Sequence, residues 1–392
     1  MNSKSRNAID EARSAAMEVL LHNTRTGRSG LPRTAGWGYP EPYTRDLMIS
    51  SLGTLVSGNE ELASALQRTL VSLSEHQSAL GLMPGLADDP QDLGASDTTP
   101  LFLFGLGLYR VAVGEPGFLD QAAQKALTWL RYQSPDDKVM VAQLPTSDWR
   151  DEQVVFGYGL YVNTVVYASL RLMAKNEDAR TLRGLMNRLH VRGDRKDPHV
   201  HEGLVVPHKP YFALYSYKVF HNERFDLLGN SLAILSGIAS RSRSERLIAW
   251  IEAEMRGLQD KGKLVVDLPP CLFPFILPED PDWIPRYERY NLPGEYHNGG
   301  LWPFVCGFYV AACVAAGRTH LAAERLAALT QLVSPSNERE LPWGFNEWSK
   351  AQTGEPRGRD WQTWSAAMYL YAAASVERGS TPFFDRLRAA EQ

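Results

Sequence analysis

The chain has 392 residues, 44 % hydrophobic and 22 % charged, which is ordinary globular composition. Its 41 basic and 45 acidic residues leave a net charge of −4, which argues against nucleic acid or an anionic membrane surface as a partner. Cys271, Cys306 and Cys313 form no disulfide framework and match no metal-ligand spacing; they fit a reducing compartment.

Residues 1–30 predict a helix over 8–22 and a lead-in, with no apolar segment followed by a small-residue cleavage site, so a cytoplasmic location is expected. Helical periodicity then dominates, over 45–57, 60–78, 98–113, 117–133, 158–175, 178–192, 225–240, 243–258, 301–317, 319–334, 362–378 and 381–391. Many of these come as pairs. One member is apolar and rich in small residues, as in "FDLLGNSLAILSGIAS", and its successor is amphipathic, as in "RSERLIAWIEAEMRGL". A helix that is apolar all round is buried, and an amphipathic one faces water. Such an alternation, repeated about six times, predicts an all-α toroid of helical hairpins in a single domain over 1–392. Strand signals are weak, and "KVMVAQLP" and "KGKLVVDLPP" read as short extended pieces. Residues 296–317 carry no charge, but His297, Asn298, two glycines and Pro303 at the start favour a buried helix over a membrane span.

The joins are uneven. Within a pair they are short: "GN" at 58–59, "GEP" at 114–116, "RSR" at 241–243. Between pairs they are long, over 79–97, 134–157, 193–224, 259–300 and 335–361, and they hold most of the Trp, Asp, Glu and His that could do chemistry. In a hairpin toroid these long loops open on one end, so the polar cluster "GEYHNGGLW" stands at the mouth of an apolar helix.

Five clusters enter inner helices from that end. "PTSDWRDE" sets Trp149 beside Asp148, Asp151 and Glu152, where an indole could desolvate a carboxyl and raise its pKa. "LPWGFNEWSK" places Glu347 among Trp343, Phe345 and Trp348, and a carboxylate among rings needs a reason. Asp97 precedes an apolar helix, either as an N-cap or as a site group. Arg45 and Asp46 open another helix, as a capping ion pair or as a fork for sugar hydroxyls. Glu295, Tyr296, His297, Asn298 and Trp302 make the fifth, where Asn298 could be a cap and His297 a core histidine. With aromatics at 10 %, the flat faces that carbohydrate sites use are plentiful. Phosphate-binding, dinucleotide, zinc-protease and serine-hydrolase motifs are missing. His199, His201 and Glu202 read as a polar loop rather than a metal cluster. No cofactor or metal is implied.

"YHNGGLWP", "RFDLLGNSLAILSGIAS", "WRDEQVVFGYGLYVNTVVYASL" and "DWQTWSAA" together resemble the alkaline/neutral invertases. More loosely they resemble the related six-hairpin enzymes: processing α-glucosidases, mannosylglycerate and glucosylglycerate hydrolases, trehalases and the glucosidase half of debranching enzyme. The resemblance runs from about Trp37 to Ala374. It implies an (α/α)6 barrel and hydrolysis of an α-linked sugar with inversion. Asp151 falls on the general acid and Glu347 on the general base, while Arg45, Asp46, Asp97, Trp149, Glu295, Tyr296, His297, Asn298, Trp302, Trp343, Trp348 and Trp364 match segments lining the sugar. The implied partner is a small soluble saccharide, sucrose or another small α-glycoside, with a homo-oligomer possible. Trimmed loops between the two carboxylates and the acidic Glu295 depart from the invertases and leave the aglycone open. A sugar-binding protein without catalysis, or a lyase using Tyr296 and His297, are rivals of another class.

Overall fold

The computed structural model describes residues 3–135, 139–188, 190–191, 201–217 and 220–389. In chain order its helices are α1 (Ser3–Arg25), α2 (Thr44–Val56), α3 (Glu60–Glu75), α4 (Thr98–Val113), α5 (Asp120–Tyr132), α6 (Leu160–Leu172), α7 (Asn176–Met186), α8 (Leu227–Ser236), α9 (Arg241–Asp260), α10 (Tyr287–Tyr290), α11 (Pro303–Ala315), α12 (Thr319–Val333), α13 (Thr363–Arg378) and α14 (Phe384–Ala389). The expected helices are therefore present, with ends displaced by a few residues, and the short α10 is an addition.

Apolar helices do pack inside. Every residue from Pro303 to Val314 of α11 is buried, so the helical part of the uncharged stretch 296–317 is a core helix; no described helix is long and apolar enough to cross a membrane. By contrast α5 buries only Ala122, Ala123, Ala126 and Leu130, one stripe of an amphipathic helix. Contacts run from α2 to α4, α4 to α6, α6 to α8, α8 to α11, α11 to α13, and from α13 back to α2. Each inner helix thus touches the next and the sequence of contacts returns to its start. Ile49, Leu101, Phe104, Tyr161, Val165, Leu232 and Phe308, from five of these helices, leave a void of only about 10 Å³ between them. The interior is packed at the density of a core.

The outer helices lie over neighbouring inner ones. Thus α3 packs on α2, α5 on α4, α7 on α6 and α12 on α11, while α1 covers α13 and touches α12 and α3. On α9, buried Glu252 accepts from Tyr309 Oη of α11 at 2.6 Å and from Arg325 of α12 at 2.5 and 3.0 Å, tying three helices together. At the other end of the inner helices α14 packs on α6 and α8, and Arg388 donates to the Leu235 carbonyl at the C-terminal end of α8.

The all-α expectation needs correction at the mouth. Short strands decorate the long loops: β1 (Pro84–Leu86), β2 (Asp89–Leu93), β3 (Tyr158–Gly159), β4 (His190–Val191), β5 (His201–Glu202), β6 (Ala213–Tyr217), β7 (Phe220–Asp226), β8 (Leu272–Phe273), β9 (Trp348–Ser349) and β10 (Pro356–Arg357). Four of them form an antiparallel sheet in the order β3-β6-β7-β8, pairing Gly159 with Tyr215, Ala213 with Phe225 and Asp226 with Leu272. This sheet joins loops from three successive hairpins, so the entrances of α6 and α8 are set relative to each other. The two stretches expected to be extended, 138–145 and 261–270, form no strand among the described residues; Gln143 makes a single bridge with Gly157. His199 lies outside the described residues, as do the side chains of His201 and Glu202.

Candidate active site

Buried aromatic rings lie beneath the mouth. Trp149, 2 % exposed, meets Trp302, Phe304 and His297 edge-on at 5.2–5.3 Å between ring centroids. Trp364 stacks on Phe304 at 4.1 Å, and Trp302 on His297 at 5.3 Å. Such edge-to-face and stacked contacts are the favoured geometries of aromatic packing. Trp149, Trp302 and Trp364 therefore belong to the support under the site. Trp343 and Trp348 are only partly buried, and the Trp348 ring stands 5.6 Å from that of Tyr296.

Two ion pairs brace the loops above these rings. Arg45 of α2 grips Asp97 with two hydrogen bonds, Nε to Oδ2 at 2.7 Å and an η-nitrogen to Oδ1 at 3.0 Å, and Tyr161 Oη donates to the same carboxylate at 3.2 Å. Asp97 stands at the N-cap position of α4, but its side chain makes no capping bond. It is spent on Arg45 instead, which joins α2, α4 and α6. Arg150 holds Asp226, the N-cap of α8, through bonds of 3.1 and 3.2 Å; both side chains are fully buried. Asp148 fixes the turn between them, accepting from Arg150 N at 2.7 Å and from Gln143 Nε2 at 3.0 Å. The effect of these bonds is to set where the next residue, Asp151, can stand.

Asp151 and Glu347 come from loops far apart in the chain, and the charge of one makes the other costlier to ionise. Asp151 titrates above the ordinary carboxyl range, first through desolvation and then through Glu152 and Asp148, with Arg45 opposing. Its side chain is nevertheless 62 % accessible, so water reaches it and screens these influences. Glu347 is 9 % exposed and is pushed up to about 7, first by burial and also by the Asp151 charge, against one backbone donor, Arg359 N at 3.2 Å. Burial outweighs that single N–H. A carboxyl with a pKa near neutrality can take up or release a proton there.

Other groups sense the same two charges. Asp46, buried in the first turn of α2, is lifted to about 7 by burial, with Arg45 opposing and Glu347 and Asp151 adding. Tyr39 is pushed up to about 12, first by the Glu347 charge. The Tyr296 hydroxyl is raised by burial and then by Glu347 and Asp151. Tyr39, Asp46, Asp151, Tyr296 and Glu347 thus lie within electrostatic reach of this pair of charges. Tyr39 was missed in the sequence because "WGYPEPY" reads as a turn.

The loop "GEYHNGGLW" divides by role. Asn298 is tied to backbone on both faces of its amide. Its Oδ1 accepts from Ile276 N at 2.7 Å and its Nδ2 donates to the carbonyls of Ile276 and Asn291 at 2.8 and 2.9 Å, so the amide braces backbone. Glu295 is ion-paired with Lys350 at 2.8 Å. Trp302 donates Nε1–H to the Tyr296 carbonyl at 3.0 Å. Gly299 has φ +101°, and a Cβ there would stand 2.2 Å from the Phe275 ring, so only glycine fits. His297 is fully buried, with Nε2 3.9 Å from Asp151 Oδ1. Among the described residues no group of three or more His, Cys, Asp or Glu could hold a metal ion. A cavity of about 400 Å³ between α5, α6 and α7 shares no residue with the site.

The fold is shared with solved glycosidase structures. The chain superposes on the GH63 mannosylglycerate hydrolase from Thermus thermophilus, in complex with Tris and D-glycerate, with a TM-score of 0.62 at 17 % identity, covering 92 % of this chain and 99 % of that one. It also superposes on a variant glycosidase in complex with glucose, with a TM-score of 0.64 at 13 % identity over 97 % and 100 % of the two chains. In sequence, residues 211–378 match the family described as alkaline and neutral invertase. Cytosolic invertase 1 of Oryza sativa subsp. japonica is 30 % identical over 159 residues, 39 % of this chain and 26 % of that one. Alkaline/neutral invertase C, mitochondrial, of Arabidopsis thaliana is 28 % identical over 177 residues, 44 % and 25 % of the two. The matched stretch spans about a quarter of the length of these relatives.

Proposed function

We propose that this chain is an inverting α-glycoside hydrolase acting on a small soluble α-glucoside, with sucrose the first candidate. The observation that carries the reading is the pairing of Asp151 and Glu347, two carboxyls of raised pKa whose charges oppose each other. Asp151, with its affinity for a proton raised, protonates the glycosidic oxygen as the bond breaks. Glu347, ionised above about pH 7, takes a proton from the water that attacks the anomeric carbon on the opposite face. Inversion of this kind calls for carboxyls roughly 6.5–9.5 Å apart, with room for that water. In this reading Asp46, Arg45 and Tyr296 meet sugar hydroxyls, and the partly buried Trp343 and Trp348 lend flat faces to the sugar.

The same proposal takes the ring of contacts as an (α/α)6 toroid forming one domain over 1–392, located in the cytoplasm. The likeness to the mannosylglycerate hydrolase keeps a glucosyl or mannosyl glycerate, or another small α-glycoside, as the alternative substrate.

The test is a hydrolysis screen of the purified protein on sucrose, trehalose, isomaltose, kojibiose, glucosylglycerate, mannosylglycerate and glucosylglycerol, with NMR following the anomer first released. Early β-anomer, lost in Asp151→Asn and Glu347→Gln variants that remain folded, supports the reading and names the substrate. Sugar binding without turnover turns the conclusion to a binding protein, and an unsaturated, ultraviolet-absorbing product to a lyase.

A further inference from the structure

His297 has a role that sugar binding does not explain. Its imidazole is 1 % exposed and clamped on several sides. Tyr296 lies 4.0 Å from it, Trp302 stacks on it with an interplanar angle of 17°, and Trp149 meets it edge-on. Its backbone N–H is held by Asn291 Oδ1 at 2.9 Å, and its carbonyl accepts from Cys271 Sγ. Both ring nitrogens are buried without a hydrogen-bond partner. Buried polar atoms are nearly always bonded, so an orphaned pair in so tight a clamp needs a use. Nε2 faces Asp151, 3.9 Å from Oδ1. Catalytic contacts are often this long before substrate binds, and a movement of about 1 Å would make the bond.

We propose that His297 is the positioning residue for Asp151: its Nε2–H donates to Oδ1 and turns the other carboxyl oxygen, the one that carries the proton, toward the glycosidic bond. The inference rests on Asp151 being the general acid. A donor to one oxygen fixes the carboxyl rotamer, and it also stabilises the carboxylate left after the proton has gone. A neutral ring suits this role. Burial, then Arg150 and Arg45, hold the His297 pKa well below its ordinary value, so the ring has one N–H to give and does not pair with Asp151 as an imidazolium. The charged groups facing Asp151 itself are Arg45, Asp46, Glu152, Asp148 and Glu347. Tyr296 and Trp302 hold the imidazole plane, so the direction of its N–H is set by packing before substrate arrives.

The wild-type full chain, labelled with ¹⁵N-histidine, gives a first reading that does not depend on turnover. His297 is expected as the neutral Nε2–H tautomer from pH 5 to 8; an Nδ1–H tautomer overturns the proposal. A second reading follows the ¹³Cγ signal of Asp151, assigned by its loss in Asp151→Asn. His297→Leu should raise the Asp151 midpoint by about one pH unit, because a donor to the ionised form is gone, and His297→Gln should keep it near wild type. Equal midpoints in both variants overturn the proposal. In kinetics, His297→Leu should lower kcat on sucrose about tenfold or more with KM little changed, and should leave α-glucosyl fluoride, whose leaving group needs little protonation, close to wild type. Equal losses on the two substrates mean that His297 serves the fold and overturn the inference. Full activity of Asp151→Asn would instead sink the general-acid reading, and the NMR outcomes would still stand on their own.

Discussion

A Cβ added at Gly358 would stand 2.2 Å from Glu347 Oε2 and 2.5 Å from Glu347 Cβ, so the bare backbone of Gly358 forms the wall against which the carboxylate lies. The next residue, Arg359, supplies the backbone N–H that bonds Oε2 at 3.2 Å. Gly358 also has φ +72°, which a side chain tolerates poorly. Gly358→Ala is therefore expected to displace Glu347 while leaving the helices intact. Because a misplacement of about 1 Å costs on the order of a hundredfold in rate, kcat should fall by about that factor, with a smaller change in KM. Kinetics on the substrate found in the screen, beside a circular dichroism spectrum, check this; a wild-type rate would show that the wall is dispensable.

Asn298 makes its contribution to stability. Its side chain holds Ile276 N, the Ile276 carbonyl and the Asn291 carbonyl, all from loop backbone at the mouth. Asn298→Ala leaves these buried groups unpaired, at about 2–4 kcal/mol. A lower denaturation midpoint is expected, with substrate affinity preserved at temperatures where the variant is folded. Weakened binding at unchanged stability would return Asn298 to the group that touches the sugar.

The contrast between Asn298 and Glu347 shows what the sequence could carry. An apolar helix such as α11 followed by the more polar α12 is readable because burial imposes helical periodicity. The two carboxylates were legible as acids beside tryptophans, and in the folded chain the charge of Asp151 reaches Glu347. The partners of polar side chains were not legible, since they come from distant loops. Asp97 reads as either an N-cap or a site group, and it holds Arg45; Asn298 reads as either a cap or a sugar-lining group, and it holds backbone. The aromatic-rich "YFALYSY" run was hidden inside a long loop, although alternate burial along β6 is the signature of a strand. The proximity of Gly358 to Glu347 appears only in three dimensions.

Glu347 should make the protein less stable above neutral pH. Its carboxyl is raised from 4.5 to about 7 in the folded chain, so between these values the native state holds a proton that the unfolded chain has lost. The sign follows: stability is fully present below about pH 4.5, falls as pH rises, and above about 7 is reduced by about 3 kcal/mol. Glu347→Gln removes that cost. Its melting temperature should match wild type near pH 4.5 and exceed it by a few degrees at about pH 8, as measured by calorimetry across that range. A difference that does not vary with pH would mean that Glu347 is not held in a charge-averse site.

Asp46 should set where the acid limb of activity falls. It is buried and raised from 3.8 to about 7, first by desolvation, and it repels the charges on Glu347 and Asp151. Repulsion is reciprocal, so an ionised Asp46 makes it harder to ionise Glu347, and the carboxyls titrate as a coupled set. Asp46→Asn removes one of these charges. Glu347 then loses its proton at lower pH, and a base must be ionised to work, so the acid limb of kcat/KM should move down by about half to one pH unit. The height of the profile will also fall if the Asp46 carboxylate touches a sugar hydroxyl, so the diagnostic quantity is the position of the limb. A limb at its wild-type pH would show that Asp46 and Glu347 titrate independently.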